Sequence, residues 1–301
     1  MGRKYDLIEL EKCNMCDHTL GSAKYLGKRL SGSQGLFPRG KKGIAVSVYQ
    51  CSNCGLIFPN PLPQVLDLSD HYKIPANSYW SEDYFTVSDD YFKSQIETYF
   101  EISKNNNSRR ALDIGAGVGK CMIALQKSGF EAFGIEPSET FYNKAITEMK
   151  IPTKYLENIS LEDVDEKTNE FDFITFGAVL EHLYDPSQSI VKALSMLKSG
   201  GLIHIEVPSA RWLTHKIINA FYKLTLADYA ANLSPFHTPF HIYEFDLDTF
   251  RKNGLLKGYE VVFYQYFVCD TFLPSLLDPI LKPVMNKTNS GMQLEVWLQK
   301  K

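Results

Sequence analysis

The chain has 301 residues, 44% of them apolar and 22% charged, the composition of a folded chain with a sizeable core rather than of a disordered or fibrous one. Its 32 Lys and Arg against 35 Asp and Glu leave a net charge of -3, which excludes a bulk electrostatic pull toward nucleic acid or anionic lipid. No uninterrupted apolar run of roughly 18 residues occurs, and residues 1–10 lack the apolar core of a signal peptide, so a cytoplasmic chain without a membrane span is expected.

Cys13 and Cys16 form one C-x-x-C pair, Cys51 and Cys54 a second, with 34 residues between them. Without a secretory signal, such pairs read as metal ligands rather than disulfides, and two knuckles of this spacing offer four thiolates in a tetrahedron. A redox pair or four unrelated thiols would leave the symmetry unexplained. The reading is a structural zinc ribbon over 1–62, closed to catalysis because all four positions are filled. Cys121 and Cys269 stand alone and are expected to be buried as small apolar residues. Pro59, Pro61 and Pro63 then mark an extended stretch. Residues 63–104 form an aromatic linker, helical from 66 to 100, whose rings mostly pack; Tyr79 and Tyr84 are candidates for flanking a cofactor pocket.

From residue 111 the pattern becomes short apolar runs alternating with helical ones. Strands are predicted at 111–114, 131–135, 171–176 and 202–207, helices at 120–127, 138–150 and 186–197, with Gly129 and Gly200-Gly201 as stops. Such alternation argues a parallel sheet covered on both faces, with a ligand at the carboxyl ends of its strands. The first strand ends in Asp113-Ile114-Gly115-Ala116-Gly117-Val118-Gly119-Lys120, where glycines let a ligand approach the backbone and the next helix opens with free N–H groups. Lys120 replaces the third glycine of a dinucleotide fingerprint, and Cys121 stands where a P-loop needs Ser or Thr. Asp113 is placed to meet a cationic group. Glu136, 23 residues on, ends the second strand, where an acid holds both hydroxyls of a ribose.

These residues resemble the class I S-adenosylmethionine-dependent methyltransferases. The resemblance covers 105–301 and rests on ordered motifs: 112–119, then Gly134-Ile135-Glu136-Pro137-Ser138, Phe171-Asp172-Phe173-Ile174, Leu180-Glu181-His182-Leu183-Tyr184-Asp185-Pro186 and Leu197-Lys198-Ser199-Gly200-Gly201. It implies an α/β, Rossmann-like, seven-stranded mixed sheet preceded by the small ribbon, with a reversed final hairpin at 259–269 and 293–299. It also implies S-adenosylmethionine as cofactor and S-adenosylhomocysteine as product. Asp113, Gly115, Ala116 and Gly117 would pass beneath the methionine part, Glu136 and Pro137 would meet the ribose, and Asn158 and Ile159 would lie toward the adenine. Gly177 and His182 would complete the pocket wall.

Methyl transfer needs an aligned acceptor and, for a hydroxyl, a base. His182, after the fourth strand, and His237, His241 and Tyr243, in an insertion at 209–249 expected to cap the pocket, are the candidates. Glu206, a polar residue near the end of an apolar strand, is a further candidate for the catalytic or substrate site, or else one half of a buried pair with His204 on the same face. No further clustered His, Asp or Glu set suggests a second metal. An amphipathic helix at 211–229 and the apolar, proline-cut stretch at 272–285 suit an outer layer, or a lid touching a lipid-linked substrate.

The expected partner is a small polar molecule. A four-cysteine ribbon ahead of this domain resembles methyltransferases of deoxysugar and surface-glycan pathways, which implies a sugar carried on a nucleotide or lipid diphosphate; the missing further C-terminal domain favours O- over C-methylation. The alternative is an RNA base methyltransferase gripping nucleic acid through Lys24, Lys28, Arg29, Arg39, Lys41 and Lys42, against which stands the scarcity of aromatic residues there for stacking. A third reading is a binding module without turnover.

Overall fold

The computed structural model describes residues 4–30, 45–66, 82–103, 109–165, 169–237, 239–269 and 271–301. Strands β2 (Lys24–Leu30), β3 (Ala45–Gln50) and β4 (Ile57–Asn60) form an antiparallel sheet. In β3 the alternation is legible in burial, since Val46 and Val48 face inward while Ala45 is exposed. Strand β1 (Tyr5–Ile8) pairs with β5 (Leu62–Val65).

A seven-stranded sheet follows, in the order β11-β12-β10-β9-β6-β7-β8. Its members are β6 (Arg110–Ile114), β7 (Glu131–Ile135), β8 (Leu156–Glu157), β9 (Phe171–Gly177), β10 (Leu197–Pro208), β11 (Tyr259–Phe267) and β12 (Gln293–Lys300). The pairs β6–β7, β6–β9 and β7–β8 are parallel. The final hairpin strand β12 is threaded between β10 and β11, the order expected of the Rossmann-like methyltransferase fold. Helices α1 (Lys93–Ile102), α2 (Lys120–Lys127), α3 (Glu139–Thr147), α4 (Pro186–Met196), α5 (Leu213–Leu224), α6 (Leu247–Lys257) and α7 (Asp278–Thr288) connect or cover strands.

The chain divides into two compact units. The ribbon-containing unit comprises Met1–Gln64, Leu180–Ser187 and Glu206–Val296; the glycine-loop unit comprises Val65–Val179, Gln188–Ile205 and Trp297–Lys301. In the glycine-loop unit the core is aromatic: Phe173 stacks on Trp297 at 5.5 Å and meets Tyr99 at 5.2 Å, and Phe92 packs edge-on to His204. In the ribbon-containing unit, α6 holds both cysteine knuckles by their backbones. Thr249 donates to the Cys54 carbonyl and Asn253 to that of Met15, while Tyr259 donates to Asn253. Asp246 caps α6 with a reciprocal Thr249 bond and takes a two-pronged contact from Arg211.

Several expectations change. Helix at 66–100 reduces, among the described residues, to a short turn at Glu82–Phe85 and α1, because β-branched Thr86 and Val87 lose side-chain freedom in a helix, Ser88, Asp89 and Asp90 favour turns, and Phe92 is left-handed with φ 59°. Gly200 and Gly201 lie inside β10 rather than stopping a helix: Gly200 takes φ 76°, and a Cβ on Gly201 would press on Leu197 and the Asp172 carbonyl. Cys269 is half-buried, its thiol 3.5 Å from Gln293 Oε1. The 272–285 stretch leaves Phe272, Leu276 and Ile280 exposed. No helix among the described residues is long and apolar enough to cross a membrane.

Candidate functional site

In the glycine-loop unit, the predicted cofactor residues converge at the carboxyl ends of adjacent parallel strands. Gly115 and Ala116, after β6, donate their N–H groups to the Ile135 carbonyl of β7 at 2.9 and 3.0 Å, which fixes the turn. Gly115 has φ 70° and a Cβ there would lie 2.5 Å from Val179 Cγ2. Gly117 has φ 55° but meets nothing nearer than Phe141 at 4.0 Å. The first glycine is thus needed for packing, and the second leaves open space over a left-handed backbone. The Glu136 carboxylate accepts from Gly117 N at 2.8 Å and Ser138 N at 2.7 Å, tying the ends of β6 and β7 together. Burial raises its pKa, opposed by those two bonds.

Asp113 is buried beside it. Desolvation, then the Glu136 charge, pushes its carboxyl up to about 8, with the Cys121 thiol as its hydrogen-bond partner. The expected cation is therefore not a side chain of this chain among the described residues, and Cys121 is a polar contact rather than mere filling. A ligand bringing an ammonium and a vicinal diol fits this pair of desolvated acids. Asn158 follows β8 and donates to the Glu136 carbonyl at 2.7 Å, so its amide nitrogen is engaged, and half-buried Ile159 follows it. Pro137 and Gly177 are exposed, and nothing would obstruct a Cβ on Gly177. Lys120, opening α2, lies over the Tyr84 ring at 4.5 Å, which places Tyr84 beside the glycine turn. Tyr79 lies outside the described residues.

In the ribbon-containing unit, His241 is brought to Glu181 by the backbone: Ile242 donates to the Glu181 carbonyl at 3.0 Å. His241 Nε2 then stands 3.6 Å from Glu181 Oε1, and the His182 and His241 rings are 5.1 Å apart. His182 Nδ1 faces the Phe240 carbonyl at 3.3 Å. Burial, then the charge of Glu206, pushes Glu181 up to about 8, whereas burial, then His182, pushes His241 down to about 3. The pair is accordingly a neutral acid beside a neutral imidazole at pH 7, not an ion pair, and 3.6 Å is too long for a hydrogen bond. Glu181 Oε2 is buried with no hydrogen-bond partner among the described residues. Ligand atoms of Glu181, His182 and His241 lie within 4.8 Å of one another, a clustered His/Glu set not expected from sequence, because His241 stands some 60 positions from its partners.

The other candidates separate from this group. His237 lies against Arg29 Nη2 at 3.0 Å. Tyr243 is fully buried, donating to the Tyr184 carbonyl at 3.0 Å and accepting from Asn14 at 2.6 Å; burial raises its pKa far out of reach of a base. It pins the first knuckle, since Asn14 lies between Cys13 and Cys16. His204 pairs with Thr175 at 2.8 Å rather than with Glu206. Glu181 is not among the site residues expected from sequence; the Glu181-His182 doublet is the signal available for it.

The four ribbon cysteines are buried and their sulfurs lie within 4.8 Å of one another, with Cys13–Cys54 and Cys16–Cys51 at 3.6 Å. A tetrahedron with arms of about 2.3 Å has edges of about 3.8 Å, so the donor set fits a zinc ion.

Residues 89–262, more than half of the chain, match the family described as a methyltransferase domain. The chain belongs to that family. It is an S-adenosylmethionine-dependent methyltransferase. Curated relatives include a ubiquinone biosynthesis O-methyltransferase from Methylococcus capsulatus, 26% identical over 58% of this chain and 77% of that one. Another of the same name, from Coxiella burnetii, is 25% identical over 56% and 72%. Among solved structures, a SAM-dependent methyltransferase from Methanosarcina mazei superposes with a TM-score of 0.50 and 17% identity, covering 68% of this methyltransferase and 96% of its own chain.

Proposed function

We propose that this methyltransferase methylates a hydroxyl of a small polar acceptor, a sugar carried on a nucleotide or lipid diphosphate, with its N-terminal ribbon held by a structural zinc. The observation that carries the reading is the Glu181–His182–His241 group, in which burial holds the Glu181 acid and the His241 imidazole neutral at pH 7. The relatives' printed names, O-methyltransferases, support oxygen as the acceptor atom. The cofactor supplies an electrophilic methyl group on a sulfonium. The acceptor oxygen bonds to the methyl carbon as the carbon–sulfur bond breaks, leaving a methyl ether and S-adenosylhomocysteine, and the acceptor's proton passes to this group. His241 takes it and becomes the cation as the sulfonium loses its positive charge, while Glu181 stays protonated beside it. Burial keeps the imidazole unprotonated before the transfer, so its lone pair is available. His237 and Tyr243 act as pins for the insertion rather than as bases.

A second reading takes its support from the relatives' names, which attach their O-methylation to ubiquinone biosynthesis: the acceptor would be a phenolic hydroxyl. The RNA reading loses support, because Lys28 pairs with Asp228 at 3.7 Å and Arg29 is buried against the Leu233 carbonyl; Arg39, Lys41 and Lys42 lie outside the described residues. The test is methyl-labelled cofactor offered with nucleotide sugars, prenyl-diphosphate sugars, catechols and total RNA. Label in a sugar fraction is expected, abolished in His241→Ala. Label only in a catechol selects the second reading, and label only in RNA overturns both.

A further inference from the structure

The ribbon-containing unit carries an open concavity of about 280 Å³ whose walls come from β2, β3, β4 and α5 and from the turn residue Ala210 and the bend residue Asn232. Three lysines line it. Lys24 stands on β2, and Lys216 and Lys223 on α5, seven residues apart and therefore on one face of that helix. None of the three makes an ion pair or a side-chain hydrogen bond among the described residues. The acids nearby are already satisfied: Glu244 by Asn232, His215 and Leu233 N, Asp246 by Arg211, and Asp228 by Lys28 and Tyr25. The cavity wall thus carries uncompensated positive charge. Burial, then Arg211, lowers the pKa of Lys216, as expected of a cation that is partly desolvated among other cations.

Its floor is different in character. Leu26, Ile57 and Ala210 belong to the cluster that packs the ribbon sheet, and Ala220, a residue without bulk, stands between the lysines of α5. A concave site with an apolar floor and three lysines at its wall has the make-up of a pocket for an amphipathic polyanion; the amides of Gln50 and Asn219 in the lining are already engaged, by the Gly55 carbonyl and by Asn232 and Ala231. Lysines on a helix surface that merely solvate it need no shared cavity, and a nucleic-acid track would be an open groove with stacking aromatics, which this lining lacks.

We infer that this cavity binds the diphosphate of a nucleotide- or lipid-linked molecule, with Lys24, Lys216 and Lys223 on the phosphate oxygens and Leu26, Ile57 and Ala210 beneath its apolar portion. The ligand class rests on the acceptor reading proposed above; the cavity and its charge do not. Two sources share the chemistry, a soluble nucleoside diphosphate and a prenyl diphosphate in a lipid surface.

The test is equilibrium binding to the full-length, zinc-loaded protein, with UDP as the soluble probe and phosphatidylcholine vesicles carrying geranylgeranyl diphosphate as the lipid one. One of the two is expected to bind, with an affinity that falls as salt is added and drops about tenfold or more in Lys216→Met/Lys223→Met. Ala220→Trp, which keeps every lysine and fills the cavity, is expected to weaken binding comparably. S-adenosylhomocysteine affinity, read in the same samples, should not move in either variant and reports that the fold is intact. Binding of neither probe, equal binding in all three proteins, or a single-stranded RNA as the sole ligand overturns the inference. Labelled methyl transfer to sugars by a protein that binds neither probe would sink the cavity and leave the acceptor reading standing. Binding without label in any sugar would do the reverse.

Discussion

Glu136 and Glu181 are both buried carboxyl groups that burial pushes upward, one in each unit, and they are treated in opposite ways. Glu136 accepts two backbone N–H groups from residues no more than 19 positions away, so its geometry is complete before any ligand arrives. Glu181 keeps one oxygen without a partner among the described residues, and its neighbour His241 comes from 60 positions away. The first arrangement suits a cofactor that is always the same. The second leaves an unsatisfied group whose cost is offset only by a proton or a ligand, as an acid–base element requires.

The largest expected effect breaks the ribbon-containing unit alone. Chelation, or Cys51→Ser, should remove one zinc per chain and with it about 10 kcal/mol of stabilisation. Metal analysis should fall from one zinc to none, and hydrogen exchange in β2, β3 and β4 should lose its protection. Persistent protection without metal would refute the structural zinc.

Next comes the cofactor end. Glu136→Ala removes the acceptor for a ribose diol and frees the Gly117 and Ser138 N–H groups; at about 2–3 kcal/mol for bonds to a charged group, S-adenosylhomocysteine should bind roughly 30- to 150-fold more weakly by calorimetry. Asp113 sharpens the point. Its carboxyl is protonated below about 8, and meeting an ammonium requires it to ionise, so cofactor binding should release a proton and tighten as pH rises toward that value. Asp113→Asn should bind with a flat pH profile; an unchanged slope would place the titration elsewhere.

The smallest effect concerns Glu181. Its folded pKa of about 8 exceeds the ordinary value of 4.5, so the folded state holds a proton that the unfolded state has lost between those limits, and stability must fall as pH rises through that window. His241 acts at the other end: with a folded value near 3 against 6.5, the unfolded state binds the extra proton, and stability must fall as pH drops from 6.5 toward 3. Glu181→Gln, an isostere of the neutral acid, should leave stability near pH 5 unchanged and remove a slope of roughly 1 kcal/mol or more on the alkaline side in urea titrations. His241→Gln should flatten the acid side instead. A Glu181→Gln protein with the wild-type profile would show that the group is ionised in the folded state.

The difference between the two ends also explains what could be read in the chain. The strand at 131–135 and the helix at 120–127 matched the structure, because periodicity and glycine stops are local signals. The joining of the Gly115–Gly117 turn to the end of β7 is local in the same sense, since the partners are the next turn and the next strand. The aromatic stretch misled because rings at helical spacing do not outvote a run of turn-forming residues and a left-handed Phe92. His237 and Tyr243 were indistinguishable in sequence from His241, and only their distant partners, Arg29 and Asn14, set them apart.

By itself the sequence determined the strand–helix alternation from 110 to 197, the glycine turn after Asp113 and each C-x-x-C knuckle, since each follows from residues within a few turns of one another. The tertiary structure alone decided which histidine meets Glu181, that Cys121 rather than a cation faces Asp113, and that Lys24 of β2 shares one concavity with Lys216 and Lys223 of α5. The histidine and lysine contacts join residues far apart in the chain, the Asp113–Cys121 contact joins a strand end to the helix beyond the glycine turn, and burial, which sets the charge each group carries, exists only once the chain has folded.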